Sequence, residues 1–360
     1  MTAVLDDRTE FQPRVRTALG AALKAGPSHA YLFRGPRGSG KREVARVFAA
    51  EILAEAAEGG EEAKRRALMD PSPHPDLVWL RPTGAQHMVE EVRERVIRAS
   101  AYRPFEGGKR VFVVEAAEAM RDESQNALLK TLEEPPGFVH LILLSSEPAA
   151  LLETIVSRCQ PVDFAPLPAE AVEAALQGDT EEVKAAARLS AGDVELAKLL
   201  LTDVGRAMRA QAIDLDWTAM LKSAEKAGEE SEATAREALE AEKDAGLKRS
   251  ARDMTDEAKR TGRRRRTEIL DLGLRLLATW YRDLAATAAG APELAHSSDR
   301  LADLEAAAAA LSKVAPSGDA QSAARRAAEL VQDTRRRLDL NVSEELALEA
   351  LSFRLAAVLA

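Results

Sequence analysis

The sequence predicts an α/β domain with a parallel sheet, followed by chain that is helical throughout. From about residue 10 to 165, short apolar runs bounded by turn residues alternate with longer stretches of helical periodicity, the mark of stacked βαβ units. After Pro161, Pro166 and Pro168 no strand pattern returns. Aromatic residues are only 4% of the chain, and its abundant alanine favours helix packing over an aromatic-rich β-sandwich.

The predicted strands are Ala30–Arg34, Asp76–Leu80, Arg110–Val114 and His140–Leu144, each rich in Val, Leu, Ile or Phe. Lys41–Glu58, Met88–Ala101 and Ser124–Glu133 carry apolar residues at helical spacing between them, with Leu128, Leu129 and Leu132 as core. Such a sheet is buried on both faces. The boundaries follow: 1–165 for the α/β domain, 166–205 for a small helical domain and 206–360 for a helical C-terminal domain.

Within the last domain the section from about 221 to 266 is charged, acidic in its first half and basic in its second, ending Arg263-Arg264-Arg265-Arg266. Its large apolar residues are chiefly Leu239, Leu247 and Met254, so it reads as a solvated helix pair or a flexible arm, ahead of a DNA or partner contact. The chain closes with a helix cap at Asn341-Val342-Ser343-Glu344, then Leu346, Leu348, Leu351, Phe353, Leu355 and Val358 on a packed terminal helix.

The formal net charge of -9 excludes a protein that coats nucleic acid through its overall field; any such contact is local. The one cysteine, Cys159, rules out an intrachain disulfide, and with five scattered histidines no metal ligand set is expected. The first residues lack the basic-then-apolar pattern of a secretion signal and no apolar run reaches membrane-spanning length, so a cytoplasmic location is expected.

Residues 29–42 run from a strand into Gly35-x-x-x-x-Gly40-Lys41 and then a helix, the setting of a Walker A loop. In such a loop the glycines, here Gly35, Gly38 and Gly40, let backbone N–H groups converge on phosphate oxygens. Ser39 lies within the cradle and Lys41 reaches for the outer phosphates. The hydroxyl expected after the lysine to ligate Mg²⁺ is replaced by Arg42, which cannot coordinate a cation. The strand Val111–Val114 ends in Glu115-Ala116-Ala117-Glu118; Glu115 can replace a magnesium-binding Asp, but Ala116 cannot replace the Glu that polarises water. Losing a general base costs about two to four orders of magnitude in rate, so hydrolysis is expected to be negligible. Whether ATP or ADP still occupies the loop, without a competent Mg²⁺ site, is left open.

The neighbouring segments narrow the class. They are His29-Ala30-Tyr31-Leu32-Phe33, His74-Pro75-Asp76-Leu77, Ser124-Gln125-Asn126-Ala127-Leu128-Leu129-Lys130-Thr131-Leu132-Glu133-Glu134-Pro135-Pro136, Leu143-Leu144-Ser145-Ser146-Glu147-Pro148 and Ser157-Arg158-Cys159-Gln160. In this order they resemble the AAA+ subunits of the bacterial DNA polymerase III clamp loader. The damaged nucleotide motifs beside an intact Ser-Arg-Cys place the resemblance with the delta-prime type. Leu189-Ser190-Ala191-Gly192-Asp193-Val194-Glu195 is similar to the family's sensor 2 segment, with Glu195 where an ATPase presents an arginine. Glu58 to Pro73 holds no cysteine, so the zinc knuckle of many clamp loaders is not expected. The charged section is similar in composition to insertions in some actinobacterial-like members.

The resemblance implies a P-loop AAA+ domain, a helical lid and an all-helical collar domain. It implies gamma/tau and delta subunits, a sliding clamp and primed DNA as partners. Arg158 would then be an arginine finger, offered in trans to a phosphate bound by a neighbouring subunit; the bland reading is an ordinary salt bridge. Cys159 reads as a small buried residue and His74 as a hydrogen-bonded turn residue. Trp280 and Tyr281 read as core of the C-terminal bundle ahead of a stacking platform for bases. Two other functions stay open: an active clamp-loader ATPase with unusual metal ligation, and a DNA-binding AAA+ relative outside replication that uses Lys248 to Arg266.

Overall fold

β-branched and aromatic residues concentrate in four of the five strands that, among the described residues, form one parallel sheet: β1 (Ala30–Arg34), β2 (Leu77–Leu80), β3 (Arg110–Val114), β4 (Val139–Ser145) and β5 (Gln160–Asp163), in the order β2-β3-β4-β1-β5. The structure, a computed structural model, describes residues 3–82, 86–244, 250–314, 319–338 and 343–359. It divides into two compact units, 1–168 and 169–360.

In the first unit, alternate residues of each strand pack on opposite faces, as period-2 geometry requires. Tyr31, Phe33, Val111, Val113, Ile142 and Leu144 meet one layer of helices: α1 (Ala3–Arg8), α2 (Pro13–Ala25) and α3 (Lys41–Ala56). Ala30, Leu32, Phe112, Val114, Leu141 and Leu143 meet the other face. That face is covered by the helix that begins as α5 (Val89–Val92) and continues as a π turn over Arg93–Arg98, and by α6 (Asp122–Glu133) and α7 (Glu153–Val156). Tyr31 packs edge-on against Phe48 at 5.0 Å, which seats α3 on the sheet, and Phe33 packs against Phe164, just past β5, at 5.3 Å.

Three features depart from the sequence reading. The first is β5, where the prolines indicated the end of strand structure. It pairs only with β1, so Pro161 sits on a sheet edge where a missing N–H is tolerated. The second is the pair α1 and α2 ahead of the sheet, and the third is α4 (Gly60–Leu68), which packs on α3 through Ala63 and Ala67 and a Lys64–Glu51 ion pair at 2.6 Å.

The second unit is helical: α8 (Ala169–Leu176), α9 (Glu181–Leu189), α10 (Val194–Leu200), α11 (Asp203–Ile213), α12 (Trp217–Asp244), α13 (Ala251–Ala288), α14 (Leu301–Val314), α15 (Ala320–Leu338) and α16 (Glu344–Leu359). The segments expected as lid and collar both lie in it, and Leu189 and Leu200 share one apolar core with Met208, Leu277, Trp280 and Leu351. The charged section forms a helix pair. α12 and α13 run so close at Gly228 and Gly262 that a Cβ on either would stand 2.9 or 2.8 Å from the other's carbonyl oxygen. Leu239, Met254 and Ala258 form a small apolar seam towards its tip. Leu247 and Lys248, and the capping residues Asn341 and Val342, lie outside the described residues. Among the described residues no helix is long and apolar enough to cross a membrane.

Candidate functional site: a phosphate loop and an exposed arginine

The phosphate loop leaves the C-terminal end of β1, where the order reverses between β4 and β5, the usual ligand position in an open α/β sheet. Gly38 and Gly40 take positive φ, 68° and 84°, in the left-handed region that suits glycine. Gly35 is required by proximity, because a Cβ there would lie 2.4 Å from the Phe164 carbonyl oxygen. Gln12, buried, ties the loop to the end of β5. Its Nε2 donates to Ser39 O at 3.2 Å and Ala165 O at 2.7 Å, while its Oε1 accepts from Ala165 N at 3.1 Å. The Lys41 ammonium donates to the carbonyls of Gly35 and Pro36, both at 2.6 Å, and to Ser39 Oγ at 3.4 Å.

One residue further on, Arg42 turns towards two carboxylates. Its Nε stands 2.9 Å from Glu115 Oε1 and its Nη2 2.9 Å from Asp70 Oδ2. Around these acids the fold gathers two more arginines and a tryptophan. Arg81 donates to Asp70 at 2.8 Å and to Glu115 at 3.2 Å, Arg46 lies 3.1 Å from Asp70, and Trp79 Nε1 donates to Glu115 at 2.6 Å. The Arg46 guanidinium lies 4.3 Å from the centre of the Trp79 ring, a cation–π distance. Burial works to raise the Asp70 carboxyl, but the Arg81 hydrogen bond and the charges of Arg81, Arg46 and Arg42 outweigh it and hold the group below its ordinary range. Burial in turn lowers Arg46. Asp70 and Glu115 are thus both engaged by guanidinium groups.

Beyond β3 the backbone at Ala116 is left-handed, φ 47°, and the side chain there is a methyl group. Glu118 accepts instead from Ser146 N at 3.1 Å, bracing the end of β4.

Arg158 follows α7 elsewhere in the unit. Its Nη1 donates to Thr154 O at 2.9 Å and its Nη2 to Glu133 Oε1 at 2.7 Å; the side chain is 35% exposed and touches no loop residue through these bonds. Cys159 beside it is buried in the sheet core, and burial pushes its thiol up to about 12, which leaves it unreactive. His74 is buried; its Nδ1 accepts from Asp76 N at 3.1 Å, and Asp76 accepts from Phe105 N at 2.9 Å and Glu106 N at 2.7 Å, a turn-bracing role. Trp280 and Tyr281 are buried in the helical core. Glu195, in the first turn of α10, pairs with Lys198 at 2.9 Å.

Sequence reasoning missed Gln12, Arg46, Asp70, Trp79, Arg81 and Glu133. They come from separate elements, and no local spacing marks them as partners of the loop or of Arg158.

A parallel sheet of this order, with a glycine-rich loop between its first strand and the following helix, defines a P-loop fold of the AAA+ class. Residues 11–168 match the family described as DNA polymerase III, delta subunit. The chain is 41% identical over 144 residues to the DNA polymerase III subunit delta' of Pseudomonas aeruginosa, covering 38% of this chain and 43% of that one. To the delta' subunit of Bacillus subtilis it is 33% identical over 173 residues, 46% and 51% of the two chains. To the tau subunit of Bacillus subtilis it is 34% identical over 161 residues, 44% and 28%. The matches span about half, or less, of these relatives' lengths. Through residues 11–168 the chain is similar to this family, and over 38% and 46% of its length it is similar to the two delta' subunits.

Proposed function

We propose that this chain is a delta-prime-type subunit of a cytoplasmic clamp loader that helps place a sliding clamp on primed DNA without hydrolysing ATP itself. Arg42, seated between Glu115 and Asp70 where a P-loop ATPase holds its metal ion, is the observation that supports this reading. A nucleotide held by Gly35, Gly38, Ser39, Gly40 and Lys41 would be bound through phosphate contacts alone, and Ala116 offers no group to activate water. Arg158 would act across a subunit boundary on the triphosphate of a gamma/tau-type neighbour, with the delta-type subunit and the clamp as further partners. The match to a tau subunit favours the second reading, an active gamma/tau-like ATPase.

Two measurements decide between them. The purified chain is expected to hydrolyse ATP no faster than its Lys41→Ala variant; turnover that this substitution abolishes would establish the second reading. In a loader reconstituted with gamma/tau and delta subunits, Arg158→Ala is expected to leave assembly intact and slow DNA-stimulated ATP hydrolysis by about a hundredfold or more. An unchanged rate removes the role from Arg158.

A further inference from the structure

We infer that Glu133 is a positioning residue for Arg158, an inference that rests on the trans-acting role proposed above. Glu133 is the last residue of α6, and its carboxylate accepts from Arg158 Nη2 at 2.7 Å. Arg158 is its one ion-pair partner among the described residues. The second anchor comes from the turn that carries Arg158 itself. Arg158 Nη1 donates to Thr154 O at 2.9 Å, and the Arg158 backbone N–H donates to Ile155 O at 3.1 Å.

The guanidinium is therefore held at two of its nitrogens, by a side chain from one helix and a carbonyl from the next. It is not used up. Each terminal nitrogen of an arginine carries two hydrogens, and Nε carries one more. One hydrogen on each terminal nitrogen is engaged here, so the Nε–H and the second hydrogen of both nitrogens remain for another acceptor. A side chain with 35% exposure keeps them within reach of solvent, or of a neighbouring subunit.

Arginine is costly to order because its rotamers are many. Glu133 reduces that cost by fixing the fork before a phosphate arrives, and its single carboxylate leaves donors over. A bidentate acid would have occupied the edge that a phosphate needs. The pair is exposed, Glu133 at 49%, which limits its strength and sets the size of the expected effect.

The test uses the reconstituted loader. Glu133→Ala is expected to lower kcat for ATP hydrolysis about threefold to fivefold, the most an exposed pair supplies. KM for ATP should not move, because the arginine acts on charge that develops in the transition state. Glu133→Gln keeps an acceptor oxygen and should recover most of the rate. The double variant Glu133→Ala/Arg158→Ala should be no slower than Arg158→Ala alone, since Glu133 works only through the arginine.

A rate unchanged or raised by Glu133→Ala, with Arg158→Ala still slow, overturns the positioning role and leaves the trans-acting arginine standing. A double variant clearly slower than Arg158→Ala overturns it as well. A rate unaffected by Arg158→Ala removes the trans-acting role of Arg158 instead, and the positioning role of Glu133 with it. Glu133 is an exposed residue at a helix end, so its variants are expected to melt at the wild-type temperature.

Discussion

Arg42 and Arg158 are the same chemical group in opposite surroundings. Arg42 stands between Glu115 and Asp70, acids also engaged by Arg46, Arg81 and Trp79. Arg158 has a single acid and a carbonyl, and N–H groups left over. A guanidinium shared among carboxylates substitutes for a cation and is consumed by the fold, whereas one held at an edge by a single acid stays available to another molecule. In the proposed reading the first closes off metal chemistry within the chain. The second leaves a donor fork on the surface.

The comparison breaks most severely at Glu115, the acid on which the closed cluster converges. Glu115→Ala removes the acceptor of Trp79, Arg81 and Arg42 and leaves three arginines around Asp70 alone. The expected loss is about 2–3 kcal/mol, which lowers Tm by roughly 5–10 °C in thermal unfolding followed by circular dichroism. A variant that melts with the wild type would show that the cluster is decoration. Arg158→Ala, judged by the same melt, should change nothing, because its bonds lie at the surface.

Arg42→Ser is milder. It restores the hydroxyl of an ordinary phosphate loop and removes two ion pairs that are nearly half exposed on the arginine's side, while Arg81 and Arg46 still hold Asp70. About 1 kcal/mol is the expected loss in urea unfolding. A loss as large as that of Glu115→Ala would make Arg42, rather than Glu115, the centre of the cluster.

What the sequence revealed of this contrast follows from where the information sits. The phosphate loop and the arginine after its lysine were legible because Gly35 to Arg42 are contiguous and the chemistry of each is local. β1 and β3 were legible because both their faces are buried, which makes their apolar runs continuous. β5 was hidden by its own proline, which an edge position tolerates and a central one does not. The partners of Arg42 were hidden for another reason. Asp70 lies just past α4, Trp79 on β2, Arg81 just beyond it and Glu115 at the end of β3, and only the parallel register of β2 with β3 brings Trp79 and Glu115 together. Glu133 is similar: it belongs to a run that pointed to the family, and its link to Arg158 depends on how α6 and α7 pack.

The smallest expected effect concerns acid, and it tests whether the closed cluster is charged as described. The folded Asp70 carboxyl lies below its ordinary value of 3.8, with burial opposed and outweighed by Arg81, Arg46 and Arg42. A carboxyl with a depressed folded value binds protons more readily in the unfolded chain, so it contributes stability that is fully present above about 3.8 and is lost as pH falls through the folded value. Asp70→Asn should therefore cost the same at about pH 7 and about pH 5, and the gap from wild type should narrow only below about pH 4. The side chain is 39% exposed, so the gap itself is expected to be no more than about 1 kcal/mol. Urea unfolding at three pH values measures it. A gap already closed at about pH 5 would mean that the arginines do not hold this carboxyl down, and Arg42 would then be as free to leave its acids as Arg158 is to leave Glu133.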